Sequence, residues 1–475
     1  MSHRITRRRA LAGIGAAGLT GLAGCSSGGS DSTTTTQTTT MDDDTTQTTT
    51  ANQQASGTMK IGVLQPISGD LKYYGLQSLW GFLSGLAYKG LAHTGTTSPP
   101  SDVSTGTTTM TVGDVDFELH IRDTKFSQDT AQSLATNLVT NEDVDMLFGC
   151  ASSGAATRVI KTVATQAQVP YMVGPAASAD ITASGETCNN LVFRASENTA
   201  MDARSGGKYV AQETDVSKVF LFGADYSFGK AVVNNYETVL KNEGVEIVGK
   251  KFVPRGYKEW DGLLDNAAEA GAEGIVGGFT VATLPALFTS YLNGGYDYRV
   301  FGGFATEITN SIVGQTLQKS LGKPLTKEKL EQTKLGPFTT RYHWNQYDNE
   351  INSAFVDMYT QAYGKVPDLF TSGTFTAASA IVQAVRETGS TDGADIAEAL
   401  RGMTVTDTPK GEGGYTFQKY NNQARSAMTV AAGVPTQDQW SDLWGAPIQP
   451  GDPLARIGGD KTTIPKDDPE MTCSL

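Results

Sequence analysis

Gly223-Ala-Asp-Tyr-Ser-Phe-Gly-Lys230 follows an apolar run and opens a helical pattern, which is the setting of a phosphate-binding loop. A P-loop needs four residues between its first Gly and a Gly-Lys pair, then Ser or Thr to reach a magnesium ion. Five residues intervene here, and Ala231 follows Lys230, so neither the backbone register nor the hydroxyl is present. Nucleophilic chemistry finds no better footing. Of the histidines, His3 lies near the N-terminus, His93 in a Ser/Thr-rich stretch, His120 in an alternating run and His343 in Tyr-His-Trp, and none accompanies a Gly-x-Ser-x-Gly elbow. No Cys-x-x-Cys pair with a nearby His supplies zinc spacing. The expectation is a protein with no catalytic set, no metal and no cofactor, whose chemistry is non-covalent binding.

The elements that would position such a site alternate regularly. Met59–Leu64 is a β-rich run, Phe117–Ile121 alternates with period two, and Val144–Phe148 and Val169–Val173 are short apolar runs stopped by glycine. Between the second and third, Asp129-Thr130 is read as the cap of a helix on which Ala131, Leu134, Ala135, Leu138 and Val139 share a face. The pattern then repeats: strands at Lys218–Phe222, Val245–Val248, Ala272–Phe279 and Val300–Phe304, with helices near 229–243, ended by Gly244, and 283–292. Strands alternating with helices at this spacing predict parallel sheets covered on both faces. Two such sets predict an α/β protein of two doubly wound lobes.

Open parallel sheets bind ligands outside the carboxyl ends of their strands. The residues in question are 65–69, 151–154, 174–178, 224–228, 278–280 and 304–307, a set rich in Gly, hydroxyls and aromatic rings.

The ends of the chain speak of location. Arg7-Arg8-Arg9 precedes an uncharged apolar segment, Ala10–Leu22, too short for a comfortable permanent span, and reads as a twin-arginine export signal over residues 1–24. Leu22-Ala-Gly-Cys25 resembles a lipobox, which implies cleavage before Cys25 and its lipidation. Residues 25–57 are Ser, Gly, Thr, Gln and Asp with almost no large apolar side chain, the composition of a disordered tether. The body is therefore expected outside the cytoplasmic membrane, held to it by lipid. Loss of Arg4, Arg7, Arg8 and Arg9 with the signal takes the formal net charge from -13 to -17, which argues against nucleic acid as a partner. An acidic, Thr-rich lipoprotein of this kind resembles those of salt-loving archaea. With Cys25 lipidated three cysteines remain, and the expected pairing is Cys150 with Cys188, leaving Cys473 free.

Ile61-Gly-Val-Leu-Gln-Pro-Ile-Ser-Gly69 with Tyr74-Gly75, Gly149-Cys-Ala-Ser-Ser-Gly154, Val169-Pro-Tyr-Met-Val-Gly-Pro175, Phe193-Arg194 and Asp225-Tyr-Ser-Phe-Gly229 occur in an order that resembles the leucine/isoleucine/valine-binding family of extracytoplasmic solute-binding proteins. The resemblance implies the type I periplasmic-binding-protein fold, two lobes joined by a three-strand hinge. Lobe I would take residues 58–195 and return over 338–420; lobe II would take 196–337, and 421–475 would complete it and form a tail. It further implies a monomer that captures a small polar solute, a branched-chain or other amino acid first, and delivers it to an ABC permease with its cytoplasmic ATPase. Carried over by residue, Tyr74, Ser152, Ser153, the Ala176 backbone and Ser178 would hold the ligand from lobe I. Tyr226 or Phe228, and Phe279, would cover it from lobe II. Phe304 stands where the family places an acid against the ligand's ammonium group, with Glu307 and Asp225 as substitutes. If neither acid points inward, an amide, urea, or an aliphatic or aromatic acid fits better, because a buried ammonium without a partner is expensive. A ligand sensor serving a signalling partner is the alternative role. Leu91–Gly113 reads as an inserted surface loop.

Overall fold

Strand β1 (Ser56–Gln65) has almost every side chain from Met59 onward buried, as a strand covered on both faces requires. The computed structural model describes residues 55–475 apart from Thr280 and Phe304. The expected export signal, Cys25 and the tether to residue 54 lie outside the described residues; the last tether positions, Ser56 and Gly57, instead belong to β1, paired with Asp114 and Val115.

Five further strands complete the first sheet: β2 (Gly106–Val112), β3 (Asp114–Asp123), β4 (Met146–Gly149), β5 (Tyr171–Val173) and β6 (Val192–Arg194). Their order is β2-β3-β1-β4-β5-β6, parallel except for β2, which runs antiparallel to β3 at the edge. Adjacent residues of β4 serve opposite faces. Met146 and Phe148 join a cluster with Phe82, Leu86 and Ile381, from helices Lys72–Leu91 and Thr371–Thr388. Leu147 joins one with Leu138 and Val159, from helix Gln128–Thr140 and the helical run that starts at Ser153.

Two sequence expectations are corrected here. Residues 106–112 are not loop but strand β2, because Thr is β-branched and Met110 and Val112 turn inward while the other threonines meet solvent. The cap of helix Gln128–Thr140 is Ser127, whose Oγ accepts the Thr130 N–H at 3.2 Å.

The second sheet comprises β7 (Lys218–Ala224), β8 (Glu246–Val253), β9 (Gly274–Gly278) and β10 (Arg299–Phe301), all parallel in the order β10-β9-β7-β8. Val219 and Leu221 pack against helix Ser227–Asn242, while Phe222 and Ile275 pack against helices Leu284–Gly294 and Glu307–Leu321. The chain passes between sheets three times, after β6, at Phe338–Thr340 and at Met428–Ala431, and the last two segments pair antiparallel. This is the α/β architecture of two doubly wound lobes on a three-segment hinge.

Buried ion pairs tie the passages together. Arg341 donates to both carboxylate oxygens of Asp202, at 2.9 and 2.5 Å, and to the Glu197 carbonyl at 3.1 Å. The Glu197 carboxylate accepts Lys410 at 2.7 Å, Tyr415 at 2.6 Å and Ser426 at 3.0 Å. Burial alone would raise Glu197, yet Lys410, Tyr415 and Arg341 hold its carboxyl below the usual range, whereas burial wins at Asp202 and raises it.

The disulfide joins Cys188 to Cys473, and Cys150 is the free, buried thiol, which corrects the expected Cys150–Cys188 pair. Cys150 points into the apolar cluster beneath the sheet with Ala155 and Val173. Cys188 instead packs beside Ala183, Ile464 and Met471 of the returning tail. The tail therefore does more than complete the second lobe. Asp468 pairs with Arg204 and Glu470 accepts Thr238 on that side, while Thr472 and Cys473 bond Ala183 of the first.

Candidate ligand-binding cleft

The loops at the carboxyl ends of the two sheets face each other across a small cavity. Leu71, Tyr74, Ser152, Ser153, Ala177 and Phe370 line it from the first lobe, and Tyr226, Phe228 and Phe279 from the second. Tyr74 and Phe370 meet edge to face at 5.2 Å, so the wall is rigid and aromatic. The Gly223–Lys230 stretch supplies Tyr226 and Phe228 because helix Ser227–Asn242 starts hard against the end of β7. A Cβ at Gly229 would lie 2.1 Å from the Ala224 carbonyl oxygen, so only glycine permits that start.

The polar groups are arranged in two layers. Ser152 and Ser153 line the cavity; Ser152 Oγ accepts the Ala155 N–H at 3.4 Å and Ser153 Oγ accepts the Ser178 N–H at 3.1 Å, which leaves the Ser153 hydroxyl hydrogen as a donor. Ala176 and Ser178 sit below. The Ala176 N–H donates to the Cys150 carbonyl at 2.9 Å and its carbonyl accepts Arg194 at 2.9 Å, so the backbone expected to hold a ligand is already committed. The Ser178 hydroxyl donates to Asp180 at 3.2 Å. Arg194, fully buried, also donates to the Ser178 carbonyl at 2.6 Å, to Thr182 at 3.0 Å and to Gln423 at 2.7 Å. These partners are neutral oxygens. Burial and the nearby Arg341 bring the Arg194 guanidinium down to about 9, still a cation at neutral pH.

No acid lines this cavity among the described residues. Asp225 is exposed and pairs with Lys230 at 2.9 Å. Glu307 lies at the start of helix Glu307–Leu321, where burial raises its carboxyl against the pull of Lys365 at 3.6 Å. Phe304, the position matched to the family's acid, lies outside the described residues.

Contacts between the lobes bridge the cleft at its edge. Asp368, in the first lobe, accepts the Glu307 backbone N–H at 3.0 Å, the Leu369 N–H at 2.7 Å and the Tyr73 hydroxyl. Burial pushes the Asp368 carboxyl up to about 6, and Glu307 adds to the rise against the hydrogen bonds from Tyr73 and the two amides. Arg255 of the second lobe stacks over Phe126 of the first at 4.5 Å, and Val281 packs on the cluster of Leu71, Tyr74 and Phe370. Tyr73, Asp368, Arg255 and Phe370 were not among the residues expected from sequence. The one local signal was Asp368-Leu-Phe370 just before a helix of small residues.

A "Periplasmic binding protein" family model matches residues 58–438, most of the chain. The chain belongs to the periplasmic binding protein family. The Leu/Ile/Val-binding protein homolog 7 of Brucella abortus is 25% identical over 306 residues, covering 62% of this chain and 73% of that protein. Among solved structures, an ABC-type branched-chain amino acid transporter protein of Rhodopseudomonas palustris superposes with a TM-score of 0.63 at 20% identity, covering 86% of this chain and 99% of that one. An ABC-transporter solute-binding protein of the same species, in complex with 3,4-dihydroxybenzoic acid, gives 0.64 at 19% identity, covering 85% and 98%. The protein is thus an extracytoplasmic binding protein with the type I fold, of a family of binding proteins and not of enzymes.

Proposed function

We propose that this protein captures a small aromatic or aliphatic carboxylate, rather than an amino acid, and delivers it to an ABC permease. Lipidation at Cys25 after twin-arginine export would hold the monomer at the extracytoplasmic face of the cell membrane. The observation that carries the reading is the charge of the cleft. Its described lining holds aromatic rings and two serines with no acid, while the Arg194 cation lies one layer beneath Ala177. An ammonium group closed into that cavity would meet no carboxylate among the described residues, while a carboxylate would meet the Ser153 hydroxyl donor. A relative of the same fold holds an aromatic acid. The Brucella relative is named for Leu, Ile and Val, but 25% identity leaves pocket chemistry free to differ.

Thermal unfolding against benzoate-type acids, short aliphatic acids, amides, urea and Leu, Ile or Val tests this. A bound ligand at about 100 times its dissociation constant adds roughly 2.7 kcal/mol of stability. Acids are expected to raise the melting temperature and branched-chain amino acids are not. Ser153→Ala should weaken acid binding by roughly 1.5–3 kcal/mol, the range for a hydrogen bond to a charged group. A shift with leucine that exceeds any acid would sink the proposal.

A further inference from the structure

Behind the cleft the second lobe contains a larger cavity between β9–β10 and helices Leu284–Gly294 and Glu307–Leu321. Its walls include Leu284, Phe288, Val313, Leu317, Leu330 and Ile448. A wall of this apolar character takes apolar guests, with Thr309, Glu331 and Thr333 as polar residues at its border. The Asn310 amide on this wall is occupied, donating to the carbonyls of Ala305 and Thr306 at 3.3 and 2.9 Å.

This cavity adjoins the cleft, and Tyr74, Phe228 and Phe279 line both. The wall of the larger cavity carries no side chain at Gly302 and Gly303, both with positive φ, of +76° and +68°. A Cβ built at Gly303 would meet only the Gly277 carbonyl oxygen, at 3.5 Å, so the wall leaves space there, while one at Gly302 would press on Val276 at 2.9 Å.

We propose that the second lobe is an apolar subsite for the tail of the solute, and that the ligand is an amphipathic acid with an extended alkyl or aryl-alkyl chain. The inference rests on the carboxylate reading above, since the polar end must occupy the cleft for the tail to enter the lobe. Length selectivity follows from it. Each methylene moved from water into the subsite should tighten binding about fourfold until the cavity is filled.

Isothermal titration of the protein with butanoate, hexanoate, octanoate and decanoate, and separately with 1-octanol, tests this. The expected result is a rise of about fourfold per methylene from butanoate to octanoate. Val313→Phe, which fills the wall, should flatten the series while leaving butanoate within about twofold, since one added ring leaves the cleft groups in place. Leu284→Phe, at a half-buried position, repeats the test if Val313→Phe fails to fold. Butanoate binding with no gain in length, or variants that weaken butanoate as much as octanoate, would overturn the subsite and leave the carboxylate reading standing. Binding of 1-octanol that Val313→Phe abolishes, with no acid bound at any length, would uphold an apolar subsite and overturn the carboxylate reading. No binding of acids or octanol overturns both.

Discussion

Asp368 is the carboxylate on which closure of the two lobes can be measured most directly. It is buried between Tyr73, Tyr359 and Glu307, with Lys365 on the far side of Glu307, and its carboxyl is pushed from an ordinary 3.8 up to about 6. A folded-state value above the unfolded one means that the protonated form is favoured by folding. The associated stability is present in full below the unfolded value and is lost as pH rises through about 6. The gap corresponds to about 3 kcal/mol in all, of which about 2.4 kcal/mol is gained between pH 7 and pH 4. Asp368→Asn removes the titration. It keeps an acceptor for Tyr73 and the Glu307 amide but turns an NH2 toward the Leu369 N–H, a penalty of roughly 1–3 kcal/mol that does not vary with pH. Urea unfolding of both proteins at pH 7, 6, 5 and 4 isolates the effect, because other titrating groups cancel in the difference. The wild type should gain about 2.4 kcal/mol on the variant from pH 7 to pH 4, about 2 of it between pH 6 and 4. A difference that stays constant would show that Asp368 ionises as an ordinary exposed acid and that the interlobe contact is not closed over it. A difference of opposite sign would mean that the three hydrogen bonds outweigh burial.

Two other perturbations test how the hinge and tail are held. Lys410→Met leaves the Glu197 carboxylate buried without its cation, and should lower unfolding stability by about 3–5 kcal/mol in urea titration, while Glu197→Gln with Lys410→Met should recover most of it. Reduction of Cys188–Cys473, or Cys473→Ser, should cost about 2–5 kcal/mol, and peptide mapping of the unreduced protein should find these two linked and Cys150 alkylated only after denaturation.

The central strands of both sheets were legible because their burial on two faces writes short, nearly continuous apolar runs, as at Met59–Leu64 and Lys218–Phe222. Helices added their own periodicity, the residues after each strand named much of what now lines the cleft, including Ser152, Ser153, Tyr226, Phe228 and Phe279, and the family resemblance added Tyr74. What stayed hidden has a common cause. Tyr73 and Asp368 are separated by 295 residues and Cys188 and Cys473 by 285, and no local pattern records a contact made across lobes. The Ala176 backbone misled for a related reason, since its hydrogen bond to Arg194 depends on where a buried guanidinium comes to rest. Strand β2 was hidden by composition, because a run of threonines reads alike in a tether and at a sheet edge.

The acids near the cleft explain why closure can depend on a ligand. Glu307 and Asp368 are drawn into the junction between lobes, Asp225 faces solvent, and the cavity lining is left to rings and hydroxyls. Hydrogen bonds from Tyr73 and the Glu307 amide favour the closed form, each by roughly 0.5–1.5 kcal/mol, somewhat more where the acceptor is charged. Burying the ionised Asp368 opposes them by about 3 kcal/mol at neutral pH. The rise to about 6 is what remains after those hydrogen bonds have offset part of the burial, so the latch is weakest with Asp368 ionised and closure is left to further contacts. A solute that touches Ser153 on one lobe and Phe279 on the other then supplies them, because only the closed form offers both contacts, and a ligand shifts a conformational equilibrium by no more than its differential affinity. If the pH titration of Asp368→Asn gives no slope, the opposing term is absent, the latch alone would hold the lobes shut, and an importer built on this cleft would lose its means of telling a loaded receptor from an empty one.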